Sequence, residues 1–217
     1  MRERFDLVVF DWDGTLIDST GMIAHSIQAA AADLGLAVPP IERARHVIGL
    51  GLKDALALAV PDLNAADTQA FSARFRHHYL SKEEHLELFE GAGELLDAIA
   101  EAGIRMAVAT GKTHAGLTRA LTSTGLANRF CSTRCADQTE PKPHPAMLLE
   151  LMRETGVTPE RTLMIGDTTH DLAMALAAGT PAVAITHGAH GRVQLGAFQP
   201  LALVDSLPEL QRWLLTR

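Results

Sequence analysis

Two carboxylates stand two residues apart in the segment Asp11-Trp12-Asp13-Gly14, directly after an apolar run. In an extended strand, side chains at positions i and i+2 point to the same side, so the two acids are expected to lie close together. Such crowding is unfavourable unless a cation or a shared proton compensates it. The segment therefore indicates either a strand end that turns at Gly14 or a site for nucleophilic and acid–base chemistry.

A second pair of acids, Asp167 and Asp171, also follows an apolar run. Asp171 would fall at the start of a helix, where an aspartate commonly caps free backbone N–H groups. Asp167, at the tip of the preceding strand, is harder to explain in this way. Together with Asp11 it would form a site with only oxygen ligands, which is the type that suits Mg²⁺.

Groups that can bind a phosphate lie between these two acid pairs. Thr110 and Gly111 close an apolar run, and Lys142 lies in the segment Glu140–Pro145. A hydroxyl and a backbone N–H at a strand tip can bind phosphate oxygens, and a lysine adds a positive charge. Each of these signals is weak alone, but their order along the chain indicates a phosphate site.

The apolar runs before these motifs are short and partly β-branched, which is typical of buried parallel strands. They are Phe5–Phe10, Arg105–Ala109, Thr162–Ile165 and Pro181–Ile185, with a weaker run at Ala202–Val204. Helical patterns lie between them and end at glycines, as helix C-termini commonly do. The alternation predicts an α/β fold with a doubly wound parallel sheet, whose ligands bind where the strands end.

The segment after the first strand breaks this alternation. It contains no convincing strand, and its apolar residues form helical stripes such as Ile23, Ile27 and Leu34. We therefore predict a core domain of residues 1–17 and 88–217, with an α-helical cap domain of residues 18–87 inserted over the ligand crevice.

The four ordered motifs resemble those of the haloacid dehalogenase (HAD) superfamily. The Lys-Pro-x-Pro spelling at Lys142 is similar to that of its phosphatases with an early helical (C1) cap, of the phosphoglycolate-phosphatase-like or β-phosphoglucomutase-like kind. The resemblance covers the chain from Phe5 to about Leu215. It implies a Rossmann-like core and a Mg²⁺-dependent phosphatase that acts on a small phosphorylated metabolite, either phosphoglycolate-like or a sugar phosphate.

The resemblance also implies a role for each motif residue. Asp11 would be the nucleophile that forms an aspartyl phosphate, and Asp13 the general acid and then the general base. Mg²⁺ would bind the Asp11 and Asp167 carboxylates and the Asp13 backbone carbonyl, with Asp171 in support. The phosphoryl oxygens would be held by Thr110, Gly111, Lys142 and Gly14. Thr15 and Ser19 would support the loop through hydrogen bonds.

Other activities within the superfamily use similar motifs. A phosphomutase would use the same residues, but its cap must keep water from the aspartyl phosphate. Phosphonoacetaldehyde hydrolases resemble this chain in having a tryptophan after the nucleophile, where Trp12 stands here, and a lysine in the cap, where Lys53 is the candidate. They carry a small residue at the position of Asp13. A non-catalytic binding protein would have lost at least one of the key residues. In the cap, His46 and Lys53 are candidates for contacting the leaving group, although a partly buried polar residue and a solvated charge are the simpler interpretations.

Composition sets limits on the partners. The 19 basic and 26 acidic side chains give a formal net charge of −7, and a negative surface disfavours nucleic acid and anionic lipid. We expect no membrane span, because no apolar stretch reaches the ~18 residues that one needs. The N-terminal segment does not resemble a signal peptide, and two cysteines make no disulfide framework. These features predict a cytoplasmic protein and leave open whether it is a monomer or a homodimer.

Overall fold

The structure is a computed structural model that describes residues 5–64, 67–83 and 86–215. Six parallel strands form one sheet in the order β3-β2-β1-β4-β5-β6. They are β1 (Leu7–Phe10), β2 (Arg105–Thr110), β3 (Ser132–Cys135), β4 (Thr162–Gly166), β5 (Ala182–Ile185) and β6 (Ala202–Val204). The predicted α/β fold with a doubly wound parallel sheet is confirmed.

Helices cover both faces of this sheet. They are α5 (Ala92–Glu101), α6 (His114–Ser123), α7 (Ala146–Thr155), α8 (Thr169–Ala178), α9 (Arg192–Gly196) and α10 (Leu207–Leu215). Val8 and Phe10 of β1 belong to an apolar cluster with α5, α6 and α10. Leu7 and Val9 belong to a second cluster with α7, α8 and α9. Because successive side chains of a strand point to opposite faces, both faces of β1 must be apolar, as its sequence is.

Strand β3 does not coincide with any of the apolar runs of the sequence. It lies at an edge of the sheet, and its Ser132, Thr133 and Arg134 are only partly buried. An edge strand with partly exposed faces does not need the apolar pattern of the central strands. The other limits shift by one or two residues, since β1 begins at Leu7, β2 and β4 continue to Thr110 and Gly166, and β5 begins at Ala182.

Among the described residues, four α-helices lie between β1 and α5 along the chain. They are α1 (Thr20–Asp33), α2 (Ile41–His46), α3 (Leu52–Ala59) and α4 (Thr68–Leu80). These helices share an apolar cluster of their own. The chain enters these helices after Ile17 and returns to the core at Leu88. These two residues lie side by side and form an antiparallel bridge. We refer to these helices and the loops between them as the cap, and the domain limits at residues 18 and 87 stay a prediction. Within the described residues, no helix is both long and apolar enough to cross a membrane.

Candidate active site

The first acid motif lies where β1 ends. Asp11 is fully buried, and its backbone N–H donates to the carbonyl of Ile165 on neighbouring β4. The chain then turns at Gly14, whose φ of +84° favours glycine. A Cβ atom at Gly14 would also lie 2.3 Å from the Asp167 Oδ2 atom. The glycine therefore permits both the turn and the close approach of the second acid motif.

The second acid motif joins β4 to α8. Asp167 accepts hydrogen bonds from the Thr15 hydroxyl and from the Ala189 N–H, both at 2.7 Å. Asp171 forms a capping box with Thr168, in which its Oδ2 atom accepts from the Thr168 N–H at 3.1 Å. Asp171 thus caps the N-terminus of α8, as its position in the sequence predicts, while its second oxygen, Oδ1, faces Lys142.

Lys142 lies at the centre of these acids. Its Nζ atom is 2.7 Å from Asp11 Oδ1 and 2.6 Å from Asp171 Oδ1, and all three side chains are fully buried. Burial alone would lower the pKa of Lys142, but the two carboxylates outweigh it and raise the pKa above its usual range. A permanent positive charge is therefore held against the side chain of Asp11.

The acids nevertheless carry more negative charge than Lys142 can balance. Burial, together with the neighbouring acids, raises the pKa of Asp11 well above its usual range despite the opposing effect of Lys142. Burial and the Asp171 carboxylate raise the pKa of Asp167 to about 7. Such shifts are typical of acids crowded together in a buried site, where a cation would compensate their charge.

The donor set fits a hard divalent cation. Among the described residues, carboxylate oxygens of Asp11, Asp167 and Asp171 all lie within 4.8 Å of one another. The buried Oδ2 atom of Asp11 has no hydrogen-bond partner in the described part of the chain. Oxygen-only ligands of this kind suit Mg²⁺ or a similar ion. These three buried acids could therefore hold a divalent metal.

Asp13 has different partners. Its Oδ1 atom accepts a hydrogen bond from the Ser19 hydroxyl at 2.7 Å and lies 3.3 Å from the Nζ atom of Lys112. The same ammonium donates to the Tyr79 hydroxyl of α4 at 2.8 Å. The hydrogen bonds predicted for Thr15 and Ser19 are thus present. The spacing of Phe75 and Tyr79 indicates only a helical stripe, and the position of Lys112 next to Gly111 is the one sequence signal for this pair.

The cap contacts the core beside the predicted phosphate-binding residues. Thr110 is buried at the end of β2, and its hydroxyl accepts from the Lys112 N–H at 3.2 Å. A Cβ atom at Gly111 would lie 2.5 Å from the carbonyl oxygen of Leu50 in the cap. The Arg45 guanidinium also donates to the carbonyl of Gly188 at 3.0 Å. The cap therefore lies against the edge of the sheet where the acid motifs end.

The two cap candidates, His46 and Lys53, are not brought to this site. The exposed His46 ring stacks on His190 with ring centres 4.7 Å apart, while its backbone carbonyl accepts from the rings of His170 and His190 at 3.0 Å. Lys53 is exposed on α3. Its neighbour Leu52, by contrast, lines a cavity that lies between the cap and the core. Neither candidate side chain lines that cavity.

Comparison with known proteins agrees with the motifs. The family model of the haloacid dehalogenase-like hydrolases matches residues 8–185. The chain belongs to this family. It is 38% identical over 210 residues to the "Probable phosphatase IndB" of Dickeya dadantii, covering 94% of this chain and 91% of that protein. It is 34% identical to a phosphoglycolate phosphatase of Rhodospirillum rubrum, with 95% and 90% of the two chains covered.

A solved structure shares the fold over nearly the whole length. It is described as a predicted phosphoglycolate phosphatase from Haemophilus somnus and superposes with a TM-score of 0.85 at 26% identity, covering 98% of this chain and 99% of that one. The protein is thus an enzyme of the phosphatase type within the haloacid dehalogenase-like family, and it is similar to phosphoglycolate phosphatases.

Proposed function

We propose that the protein is a Mg²⁺-dependent phosphatase that hydrolyses a small phosphorylated metabolite through an aspartyl phosphate on Asp11. The observation that carries the proposal is the buried ion pair of Asp11 with Lys142 inside a cluster of carboxylates. A carboxylate that attacks a phosphate dianion meets like-charge repulsion, and fixed positive charge beside it reduces that repulsion.

In the first step, an Asp11 oxygen attacks phosphorus and the bond between phosphorus and the ester oxygen breaks. Asp13, in its protonated form, gives its proton to that oxygen, which leaves as an alcohol. Lys142, Thr110 and the N–H of Gly111 are proposed to hold the phosphoryl oxygens. Ser19 and Lys112, which contact Asp13 Oδ1, hold its side chain in place.

In the second step, the Asp13 carboxylate takes a proton from water. The water oxygen attacks phosphorus, the bond to Asp11 breaks, and inorganic phosphate and the Asp11 carboxylate are released. Mg²⁺ held by Asp11, Asp167, Asp171 and the Asp13 carbonyl would neutralise charge on the phosphoryl group and the nucleophile.

The test is the variant Asp11→Asn, assayed with p-nitrophenyl phosphate and Mg²⁺. We expect kcat to fall by at least about a thousandfold, because an amide cannot form the covalent intermediate. Asp18→Asn, which changes an exposed acid in the same segment, is the matched control and should keep wild-type turnover. Wild-type turnover by Asp11→Asn would contradict the proposal.

The same preparation separates a phosphatase from a phosphomutase. Both would need Asp11 and Asp13, but a mutase transfers the phosphoryl group back to a sugar phosphate. Incubation with a hexose 1-phosphate and a bisphosphate activator should release inorganic phosphate if the protein is a phosphatase. Formation of the isomeric hexose phosphate without phosphate release would indicate the mutase.

A further inference from the structure

A cavity of ≈ 440 Å³ runs from the active site into the cap. Two motif residues, Asp13 and Gly111, line its inner end, and its lining includes none of the three acids of the metal cluster. Since Asp13 is the proposed donor to the leaving oxygen, the cavity lies on the leaving-group side of the phosphate. Pockets of this volume enclose ligands of drug size.

The wall that the cap contributes is mainly apolar. It is formed by side chains from three helices that are far apart in the sequence, namely Ile23, Ile27, Leu52, Ala55 and Phe75. Ile27 and Ala55 are buried, and Leu52 and Phe75 are half-buried. Filling such a wall with an apolar group is favourable by roughly 25 cal/mol per Å² of surface removed from water.

The polar groups of the lining are unevenly placed. Lys112 and Tyr79 lie next to Asp13, with the Lys112 side chain only 9% exposed. The remaining charged side chains of the lining, Arg76, Arg119 and Asp137, are exposed. A leaving group would thus meet one polar pair near the phosphate and an apolar wall beyond it.

We propose that the preferred substrate is a phosphate monoester whose alcohol carries an apolar body about the size of an aromatic ring. This inference rests on the proposed function and names the substrate class of the same site. A two-carbon acid would reach Lys112 but would leave the apolar wall in contact with water. An apolar ring would cover Phe75 and Leu52 and displace that water.

The test compares phosphate esters that share the same type of leaving oxygen. Ethyl phosphate, phosphoglycolate and 2-phenylethyl phosphate are all esters of primary alcohols, so differences between them report mainly on the cavity. We expect kcat/KM for 2-phenylethyl phosphate to exceed that for ethyl phosphate and for phosphoglycolate by at least about tenfold. The experiment uses the full chain with Mg²⁺.

A matched pair of variants on α3 locates the effect. Leu52→Trp places an indole in the cavity and should reduce the ratio of phenylethyl to ethyl kcat/KM by at least about fivefold. Leu58→Trp makes the same change at a side chain that is 55% exposed and does not line the cavity, so this ratio should not change. If Leu52→Trp fails to fold, Ala55→Leu fills the same space with a smaller group.

The outcomes separate this inference from the proposed function. A higher kcat/KM for phosphoglycolate or ethyl phosphate, with p-nitrophenyl phosphate hydrolysed normally, overturns the substrate class alone. An equal loss of the ratio in Leu52→Trp and Leu58→Trp also overturns it. Failure to hydrolyse p-nitrophenyl phosphate and all three esters overturns the proposed function, and the inference with it.

Discussion

Asp11, Lys142, Asp167 and Asp171 form a strand-end site, which adjoins the cap-lined cavity at Asp13. The two regions differ in the polarity of their side chains. The strand-end site consists of buried charges, with Lys142 held between Asp11 and Asp171. The cavity is mostly apolar, and its few buried polar groups lie beside Asp13. Charged groups in the first region must be complementary to the phosphoryl group, whereas the second can vary with the body of the leaving group.

The difference suggests a division of work. Buried charges need fixed partners, so the chemistry is expected to tolerate little change at the strand ends. An apolar wall tolerates substitutions that keep its volume, so the cap can change specificity at small cost to stability. Variants in the two regions should therefore differ in kind as well as in size.

The largest combined loss of stability and activity is expected for Lys142→Met. This change leaves Asp11 and Asp171 buried without their cation, and losing one partner of a buried ion pair typically costs about 3–5 kcal/mol. We expect urea unfolding in EDTA to show a loss of that size and kcat with p-nitrophenyl phosphate to fall at least about a hundredfold. Lys82→Met, at an exposed position, is the control; a loss no larger than in this control would contradict the role of Lys142.

Asp13→Asn should come next, and its effect should depend on the leaving group. Without a proton donor, kcat/KM for ethyl phosphate should fall by about 10²–10⁴-fold. The loss should be smaller for p-nitrophenyl phosphate, whose leaving oxygen needs less help from an acid. Equal losses for the two esters would count against Asp13 as the general acid.

A smaller effect is expected for Lys112→Met. The methionine cannot hold Asp13 or donate to Tyr79, and we expect kcat/KM to fall by about tenfold, with Asp13 less well oriented. Lys53→Met makes the same change at an exposed cap lysine and should have no measurable effect. If Lys53→Met is the more damaging of the two, the cap candidate predicted from sequence is the better one.

The smallest effect concerns the metal-free protein and pH. Folding raises the pKa of Asp167 from its ordinary value of 3.8 to about 7. The protonated side chain therefore stabilises the fold relative to the buried carboxylate. This stability is fully present below pH 3.8 and is lost as the pH rises through about 7. Asp167→Asn cannot lose a proton. In EDTA, its Tm relative to wild type should therefore rise by several degrees from about pH 5 to about pH 8. A difference in Tm that stays constant with pH would contradict this origin.

Most of the strand-end site could be predicted because local sequence specifies it. Asp11 and Asp167 each follow an apolar strand, and parallel strands end at the same edge of the sheet. The contact of Asp171 with Lys142, in addition to its role as a helix cap, was harder to predict. Its position three residues after Thr168 indicates a helix cap, but only the packing of α8 against the sheet turns its Oδ1 atom toward Lys142.

The cap was predictable only in outline. Helical periodicity indicates which residues are buried, but it does not distinguish a side chain in an apolar core from one that lines a cavity. Phe75 and Tyr79 lie on one helical stripe, yet the Tyr79 hydroxyl reaches Lys112 on the core. Histidine and lysine were natural candidates by residue type, but His46 stacks on His190 and Lys53 is exposed.

The sequence by itself determined the fold class and the order of the chemical groups, because strand periodicity and the residues at strand ends are local properties. Only the tertiary structure decided which cap side chains meet the site. The Tyr79–Lys112 hydrogen bond, for example, joins α4 to a core loop across 33 residues of the chain. Such contacts depend on the angles at which the helices pack. The candidate catalytic groups therefore lie in contiguous segments, whereas the shape of the cap-lined cavity depends on how those segments fold together.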